Sequence, residues 1–487
     1  MVELADQRPG KLKDIAAVSG ERAVFDRSLL QTIEWAARHY VAPLSVLLAK
    51  ATPPNLPKRT ERVGELPRAT ERPPHPIDNV VSALIAGRRR PTQAMVGIWQ
   101  QLDWLAALRP LIAKGRSALI VASSAAEVSL IAEEGRQLFG GSLLEVVGES
   151  DATLTRAWEA AQAPGRLVIG TPRTAMWMIT HLSLVLALEE GRRAMKERQT
   201  PTLHVREVLR RRSLVEGFAN IFFGPTPSVE VLAAGSEVIR TGNRAWPLVE
   251  IVDRSEEPPG SGLVAEPTIA ALRAVSSRGE KCFVFTFRKM VDQTVREINA
   301  RLGMPASGPH PNDRPITVGT ERDLTGLASL GLTVASNVDG MLLGAGYRTS
   351  EEALRQLARL ANALAPGSGH RMMAQVMDPS LPLVETLKRG DPIPYLERVL
   401  VERGRAGVPP SVEMIAVELR DHVPETADAA IRKLQSVEVH GPLALENGNR
   451  WLLQGELAAA RLELRDLAGR WRESGATVRI DADPIDL

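Results

Sequence analysis

Cysteine is almost missing from this chain: Cys282 is the single one among 487 residues. That count excludes a disulfide framework and a multi-cysteine zinc site. Aromatic residues are sparse, at 4%, so stacking platforms for single-stranded nucleic acid must be few. No uninterrupted apolar run reaches the roughly 18 residues of a membrane-crossing helix. The opening stretch MVELADQRPGKLKDI carries charge early and lacks an apolar signal core, which predicts a cytoplasmic protein with no membrane partner. Neither sign of charge dominates, because 60 Lys and Arg stand against 58 Asp and Glu. A phosphate-binding surface would therefore have to come from local clustering. The eight histidines are scattered, with no pair at metal-ligand spacing, so no metal site is expected.

What is present is ordinary for a globular chain, with 44% hydrophobic and 24% charged residues. Its length suits several domains of roughly 100–200 residues each. Residues 1–58 begin with a strand-like Met1–Ala5 and continue in a helical pattern through Leu29, Leu30, Ile33, Trp35, Ala36 and Ala37. Residues 59–76 lie in a stretch rich in proline and charge and read as a linker. From residue 77 to 235, short apolar runs at 117–122, 166–170, 183–188 and 219–223 alternate with helical patterns. A second series occupies residues 236–387, with runs at 248–253, 282–286, 315–319, 332–336 and 371–376. Strands alternating with helices predict two α/β units with parallel sheets. Residues 388–487, with strand patterns at 411–418, 449–455 and 477–482, read as a small α+β domain.

Two consecutive α/β units suggest a nucleotide-driven motor, and the residues test that idea. A phosphate loop needs glycines, a lysine and a Ser or Thr. The expected stretch, residues 86–97 (AGRRRPTQAMVG), has no lysine, and the one Gly-Lys pair, Gly10–Lys11, lies outside the α/β region. A metal-holding acidic pair is needed as well, and the chain has no Asp-Glu dipeptide. Each of these parts supplies several kcal/mol of transition-state stabilisation, so losing them leaves little catalysis.

An ordered set of segments resembles the successive motifs of one known helicase family. Val168–Trp177 (VIGTPRTAMW) resembles the family's Ile-Gly-Thr-Arg-Ser-Ala-Leu-Phe, with one insertion at Pro172. Leu186–Gly191 (LALEEG) stands where the family has Asp-Glu-Glu-His, so Glu189 and Glu190 survive while Leu188 and Gly191 replace the Asp and the His. Lys196 follows where the family has Ser-Tyr-Lys. His204–Val208 (HVREV), Gly224–Glu230 (GPTPSVE), Phe285–Lys289 (FTFRK) and Gly319–Thr320 continue the match. Gly346–Pro366 resembles the arginine-finger motif. It keeps Arg348 and Glu351, but residues 362–366 (NALAP) replace the terminal Gly-Arg-Ala-Gly-Arg. Trp35–Leu44 (WAARHYVAPL) resembles the N-terminal DNA-binding domain, here short by its first strands. Glu402–Pro410, Gly441–Pro442 and Val478–Pro484 resemble parts of the C-terminal domain. The ordered set resembles the PriA family (primosomal protein N-prime, replication-restart helicases), whose eight zinc-binding cysteines are absent here.

The resemblance implies two RecA-like, helicase-type lobes between a truncated N-terminal DNA-binding domain and a small α+β C-terminal domain. It implies a cytoplasmic, nucleoid-associated replication-restart protein that binds stalled-fork or branched DNA. Primosome proteins, the replicative helicase and single-strand binding protein would be its partners. With the motor parts lost, no helicase activity, no cofactor, no zinc and no ATP or magnesium binding are expected. The alternatives are a residual DNA-dependent ATPase or 3′–5′ helicase, and a protein-interaction scaffold without DNA binding.

The candidate DNA contacts are Arg38, Tyr40, Lys58, Arg59, Arg192, Arg193, Lys196, Arg206, Arg210, Arg211 and Arg212. Most of them fall in residues 191–212, where eight basic residues stand against two acidic ones, a density able to track a phosphate backbone. Solvated helix faces account for most charge runs. An aromatic beside apolar residues, like Tyr40 or Trp35, is more often core than contact. Arg206 and His204 are also readable as supports of the first unit's fold. The vestigial nucleotide site is assigned to Glu189, Glu190, Gly319, Thr320 and Arg348, with no catalytic residue. Cys282 sits in an apolar strand and reads as inert.

Overall fold

The computed structural model describes residues 23–55, 66–68, 72–88, 91–148, 150–258, 260–303, 306–308, 315–324, 329–367 and 369–485. The strand expected at Met1–Ala5 and the candidates Lys58 and Arg59 lie outside them. The first lobe is built on seven strands: β1 (Gln93–Val96), β2 (Ser117–Val121), β3 (Leu143–Val146), β4 (Leu167–Gly170), β5 (Leu182–Leu188), β6 (Ala219–Gly224) and β7 (Glu237–Arg240). They form one all-parallel sheet in the order β3-β4-β2-β5-β6-β1-β7. The second lobe has β8 (Val249–Asp253), β9 (Cys282–Phe285), β10 (Ala306–Ser307), β11 (Ile316–Gly319), β12 (Leu332–Ala335) and β13 (Arg371–Val376). These are again all parallel, in the order β10-β11-β9-β12-β13-β8. The central strands β1, β2, β4, β9 and β12 are buried along their whole length, as parallel strands covered on both faces must be.

The last unit is an antiparallel sheet of β14 (Glu413–Asp421), β15 (Val437–Leu445), β16 (Gly448–Gly455) and β17 (Ala476–Ala482), ordered β15-β16-β14-β17. Its inner residues Ile415, Val417, Trp451, Leu453 and Ile480 do not close a core of their own. They join Leu29, Ile33, Ala36 and Tyr40 of the helix α1 (Arg27–His39 with its C-cap Tyr40), Leu47 of α2 (Leu44–Ala51), and Leu203 and Val208 of the first lobe. The helices α1 and α2 and the last sheet thus share one hydrophobic core. Asp26 starts α1 by accepting a hydrogen bond from the Leu29 amide at 2.7 Å, and its apolar positions fall at i, i+4 and i+7 on the buried face.

Two sequence-drawn divisions move. β7 pairs with β1, so the first sheet continues past residue 235 to Arg240. The helix Ile393–Arg405 places Ile393, Leu396 and Val399 in the second lobe's core, although it lies beyond residue 387. In both places the apolar face is buried against the preceding unit, which a composition boundary does not register.

Candidate functional site

In open α/β sheets, ligands bind beyond the carboxyl ends of the strands. In the first lobe, β1 and β5 deliver the residues found there. β1 was not legible as a strand, so the expected phosphate loop at 86–97 is displaced. The turn beyond β1 is instead residues 97–101 (GIWQQ), again without lysine. Trp99, only 2% exposed, fills that turn. Its Nε1 donates to Glu189 Oε1 at 2.7 Å, and its carbonyl accepts from Trp104 Nε1 at 2.8 Å. β5 ends at Leu188, and Glu189 follows at φ 49°. Gly224 permits this turn, because a Cβ there would lie 3.2 Å from Glu189 Cγ.

The second lobe closes the crevice with the helix Thr349–Asn362. The residues that replace the arginine-finger segment carry no arginine, yet arginines still arrive from earlier turns of the same helix. Arg359 Nε lies 2.9 Å from Glu189 Oε2, and its guanidinium is 3.7 Å from Glu127 and bonded to Glu321. Arg355 holds Glu321 at 2.7 Å and also bonds Glu352. From the first lobe, Arg192 pairs with Glu127. Beside this set lies a second one. Glu230 of the first lobe receives Arg206 at 3.3 Å, Arg403 at 3.2 Å and Arg348 at 3.7 Å. Glu351 of the second lobe pairs with Arg348 at 3.2 Å, bonds Arg403, and accepts from the Val229 amide at 3.3 Å.

Electrostatics follow from this pairing. Burial alone would raise Glu127, but Arg192, Ser123 and Arg359 outweigh it and hold its carboxyl below the usual range. Glu321 and Glu230 are likewise held well down against burial, the first mainly by Arg355 and Arg359, the second by Arg348, Arg206 and Arg403. Glu190 goes the other way. Its burial prevails over the bonds from Ser228, and its carboxyl is pushed up.

Of the vestigial-site residues, Glu190 accepts from the Ser228 amide within the first lobe, while Glu189 faces Arg359 and Arg348 faces Glu230, in separate sets, across the lobe interface. Gly319 and Thr320 stand at its edge. The Thr320 amide and hydroxyl donate to Asp323 Oδ2 at 2.7 and 2.8 Å, a turn that opens the short helix presenting Glu321. Sequence reading missed Trp99, Glu127, Glu230, Glu321, Arg355, Arg359 and Arg403. Glu230 and Arg403 lie within segments that carry the family resemblance, and the spacing of Arg348, Arg355 and Arg359 with Glu351 and Glu352 along one helix was a further signal. Among the described residues, no group of three or more His, Cys, Asp and Glu is placed to hold a metal ion.

The basic segment 191–212 does not form one cationic surface, and this corrects the expectation drawn from its charge density. Arg192, Lys196, Arg206 and Arg212 are 9%, 5%, 2% and 1% exposed. Their partners are Glu127, Asp481, Glu207 with Glu230, and Glu216. The segment folds as a loop followed by the helix Val205–Glu216, so its cations alternate between interior and surface. Arg193 is exposed and lies 3.9 Å from Glu352, Arg210 is half-buried and pairs with Glu207 at 3.2 Å, and Arg211 sits 6.0 Å from the Trp35 ring centroid. Arg38 is exposed on α1. Tyr40 is corrected too: it is fully buried, and its hydroxyl accepts from the His204 amide at 3.1 Å. Of the candidate contacts, Arg38 and Arg193 are exposed, while Arg210 and Arg211 are half-buried near the crossing of α1 and the helix Val205–Glu216.

Residues 1–53 match the family model of the PriA 3′DNA-binding domain (3′BD). The replication restart protein PriA of Treponema pallidum (strain Nichols) is 23% identical over 300 residues, which are 58% of this chain and 45% of that protein. The chain thus spans about half the length of the curated relative it matches, and over these spans it is PriA-like. Solved structures with a similar course include RecG bound to a three-way DNA junction, 14% identical over 64% of this chain and 44% of that one, with a TM-score of 0.41. The DUF1998 helicase MrfA bound to DNA and AMPPNP is 12% identical over 66% of this chain and 50% of that one, with a TM-score of 0.43.

Proposed function

We propose that this PriA-like chain is a DNA-binding replication-restart protein that recognises branched or stalled-fork DNA without hydrolysing ATP. It serves as a platform on which restart partners and the replicative helicase gather. The observation that carries the reading is the 3′DNA-binding match at residues 1–53, whose helices α1 and α2 are built into the same core as the C-terminal sheet and the first lobe. A DNA end held there lies beside the exposed Arg38 and half-buried Arg210 and Arg211. The ATP-free part of the reading is supported by the crevice itself. Trp99, Arg192 and Arg359 meet beyond β1 and β5, the end of an open α/β sheet where ligands bind, and there they already engage Glu189 and Glu127.

The test is a fluorescence-anisotropy titration of the full chain against a model fork, a duplex and a single strand, at two salt concentrations, with and without ATP and magnesium. The expected result is fork-preferring affinity that weakens as salt rises, because phosphate neutralisation releases counterions, with no response to ATP. Affinity that shifts with ATP, or DNA-stimulated phosphate release, would overturn the ATP-free part. Absence of DNA binding at every salt would overturn the whole.

A further inference from the structure

We propose that the buried arginine–glutamate network is a self-supplied clamp that holds the two lobes in one closed arrangement without any ligand. In a nucleotide-driven motor, the phosphates and metal supply the charges that draw mobile elements into place, and their removal releases them. Here the chain supplies both signs. Carboxylates of the first lobe, Glu127, Glu189 and Glu230, face guanidinium groups of the second, Arg359, Arg348 and Arg403. Glu189 is 2% exposed and Arg359 6%.

Two features make the arrangement specific. First, the contacts cross the interface at two separate places, one beyond β1 and β5 and one around Glu230, so the lobes cannot pivot about either without breaking the other. Second, each cross-lobe partner also keeps a counter-ion in its own lobe, as Glu127 does with Arg192 and Arg359 with Glu321, so the two signs alternate across the contact. A shifted docking would set like charges against each other, which is unfavourable. Trp99 adds a non-ionic plug, its indole bonded to the same Glu189 that Arg359 meets. A ligand shifts a two-state equilibrium only through differential contacts, and those contacts are already made within the chain. The clamp is independent of the DNA-binding reading, because it concerns the free protein.

The experiment is a spin-label distance measurement. In a Cys282→Ser background, labels are placed at Leu130→Cys in the first lobe and Gln293→Cys in the second, both on exposed helix positions. The unperturbed clamp is expected to give one narrow distance that neither ATP–magnesium nor ADP changes. Arg359→Gln with Arg403→Gln, which removes a guanidinium from each of the two contact places, is expected to add a second, longer distance. Arg359→Lys, which keeps a positive charge facing Glu189 and Glu321, is expected to keep the narrow one, and circular dichroism establishes that each variant folds. A broad distribution in the parent that narrows on adding ATP–magnesium would overturn the proposal whatever the variants do. So would a folded Arg359→Gln, Arg403→Gln protein that keeps the parent's distance. Fork affinity measured on the same samples separates failure of the clamp from failure of the DNA reading.

Discussion

Tyr40 and Arg38 are two positions apart on the sequence and face opposite environments. Tyr40 closes α1 inside the shared core, where burial raises its phenol well above its ordinary range, and its hydroxyl accepts the His204 amide. His204 in turn caps the helix Val205–Glu216 through Nδ1, which accepts from the Arg206 amide at 3.2 Å. Tyr40→Phe leaves a buried amide without its acceptor and is expected to lower stability by about 1–3 kcal/mol, read as a lower urea midpoint, with fork affinity unchanged. Arg38→Glu is expected to do the reverse. Stability should hold within about 0.5 kcal/mol for an exposed site, while fork affinity falls and the salt dependence flattens by about one phosphate contact. Equal effects of the two variants on DNA binding would refute this division of roles.

At the scale of elements, the end of β17 and the segment after it hold four parts of the molecule together. Lys196 of the first lobe is 5% exposed, pairs with Asp481 at 2.6 Å, and donates to the Ala482 carbonyl at 2.7 Å and to the Asp483 carbonyl. His39 at the end of α1 meets Asp483 at 2.7 Å, and the Tyr347 hydroxyl of the second lobe donates to the Pro484 carbonyl at 2.8 Å. Lys196→Met keeps the stem but removes the charge. Asp481 retains Arg479 at 3.0 Å, so the cost is expected near the lower end of about 3–5 kcal/mol for breaking a buried pair. Limited proteolysis should then cut the segment after residue 480 sooner than in the parent. Unchanged cleavage would mean that the hydrophobic core of α1 and the sheet suffices to hold it. The family resemblance placed Lys196 at a motif position, but its carboxylate partner on β17 was not visible there.

For the molecule as a whole, the buried charges set a pH dependence whose sign is fixed. Burial and the neighbouring Arg206 and Lys196 depress His204 well below its ordinary 6.5. The unfolded chain therefore binds that proton first, and stability from His204 begins to be lost as pH falls below 6.5. Glu127, Glu230, Glu321 and Glu352 are depressed below their ordinary 4.5. Their contribution is complete above 4.5 and is lost as pH falls through the lower folded values. Urea midpoints followed from pH 8 to 3 are expected to decline gently below about 6.5 and steeply below about 4.5. Replacing His204 by Gln should shrink the upper step and leave the part due to His75, which burial also holds below its ordinary value. A midpoint that is flat down to pH 4 in the parent would contradict the first step.

The sequence alone determined the strands whose apolar runs are buried on both faces, such as Ser117–Val121, Cys282–Phe285 and Leu332–Ala335, because a parallel sheet between helix layers leaves no polar face to blur the pattern. It determined the absence of a lysine-bearing phosphate loop and the PriA-like order of motifs. It did not reveal β1, whose run Gln93–Val96 is too short and too polar at its start to stand out. Nor could it separate buried cations from exposed ones between residues 191 and 212. Tertiary structure decided those points, since whether an arginine is a surface charge or half of an ion pair depends on which carboxylate arrives from a distant segment. Glu189 and Arg359, Glu230 and Arg403, and Lys196 and Asp481 become partners only when the lobes and the chain's ends close around them.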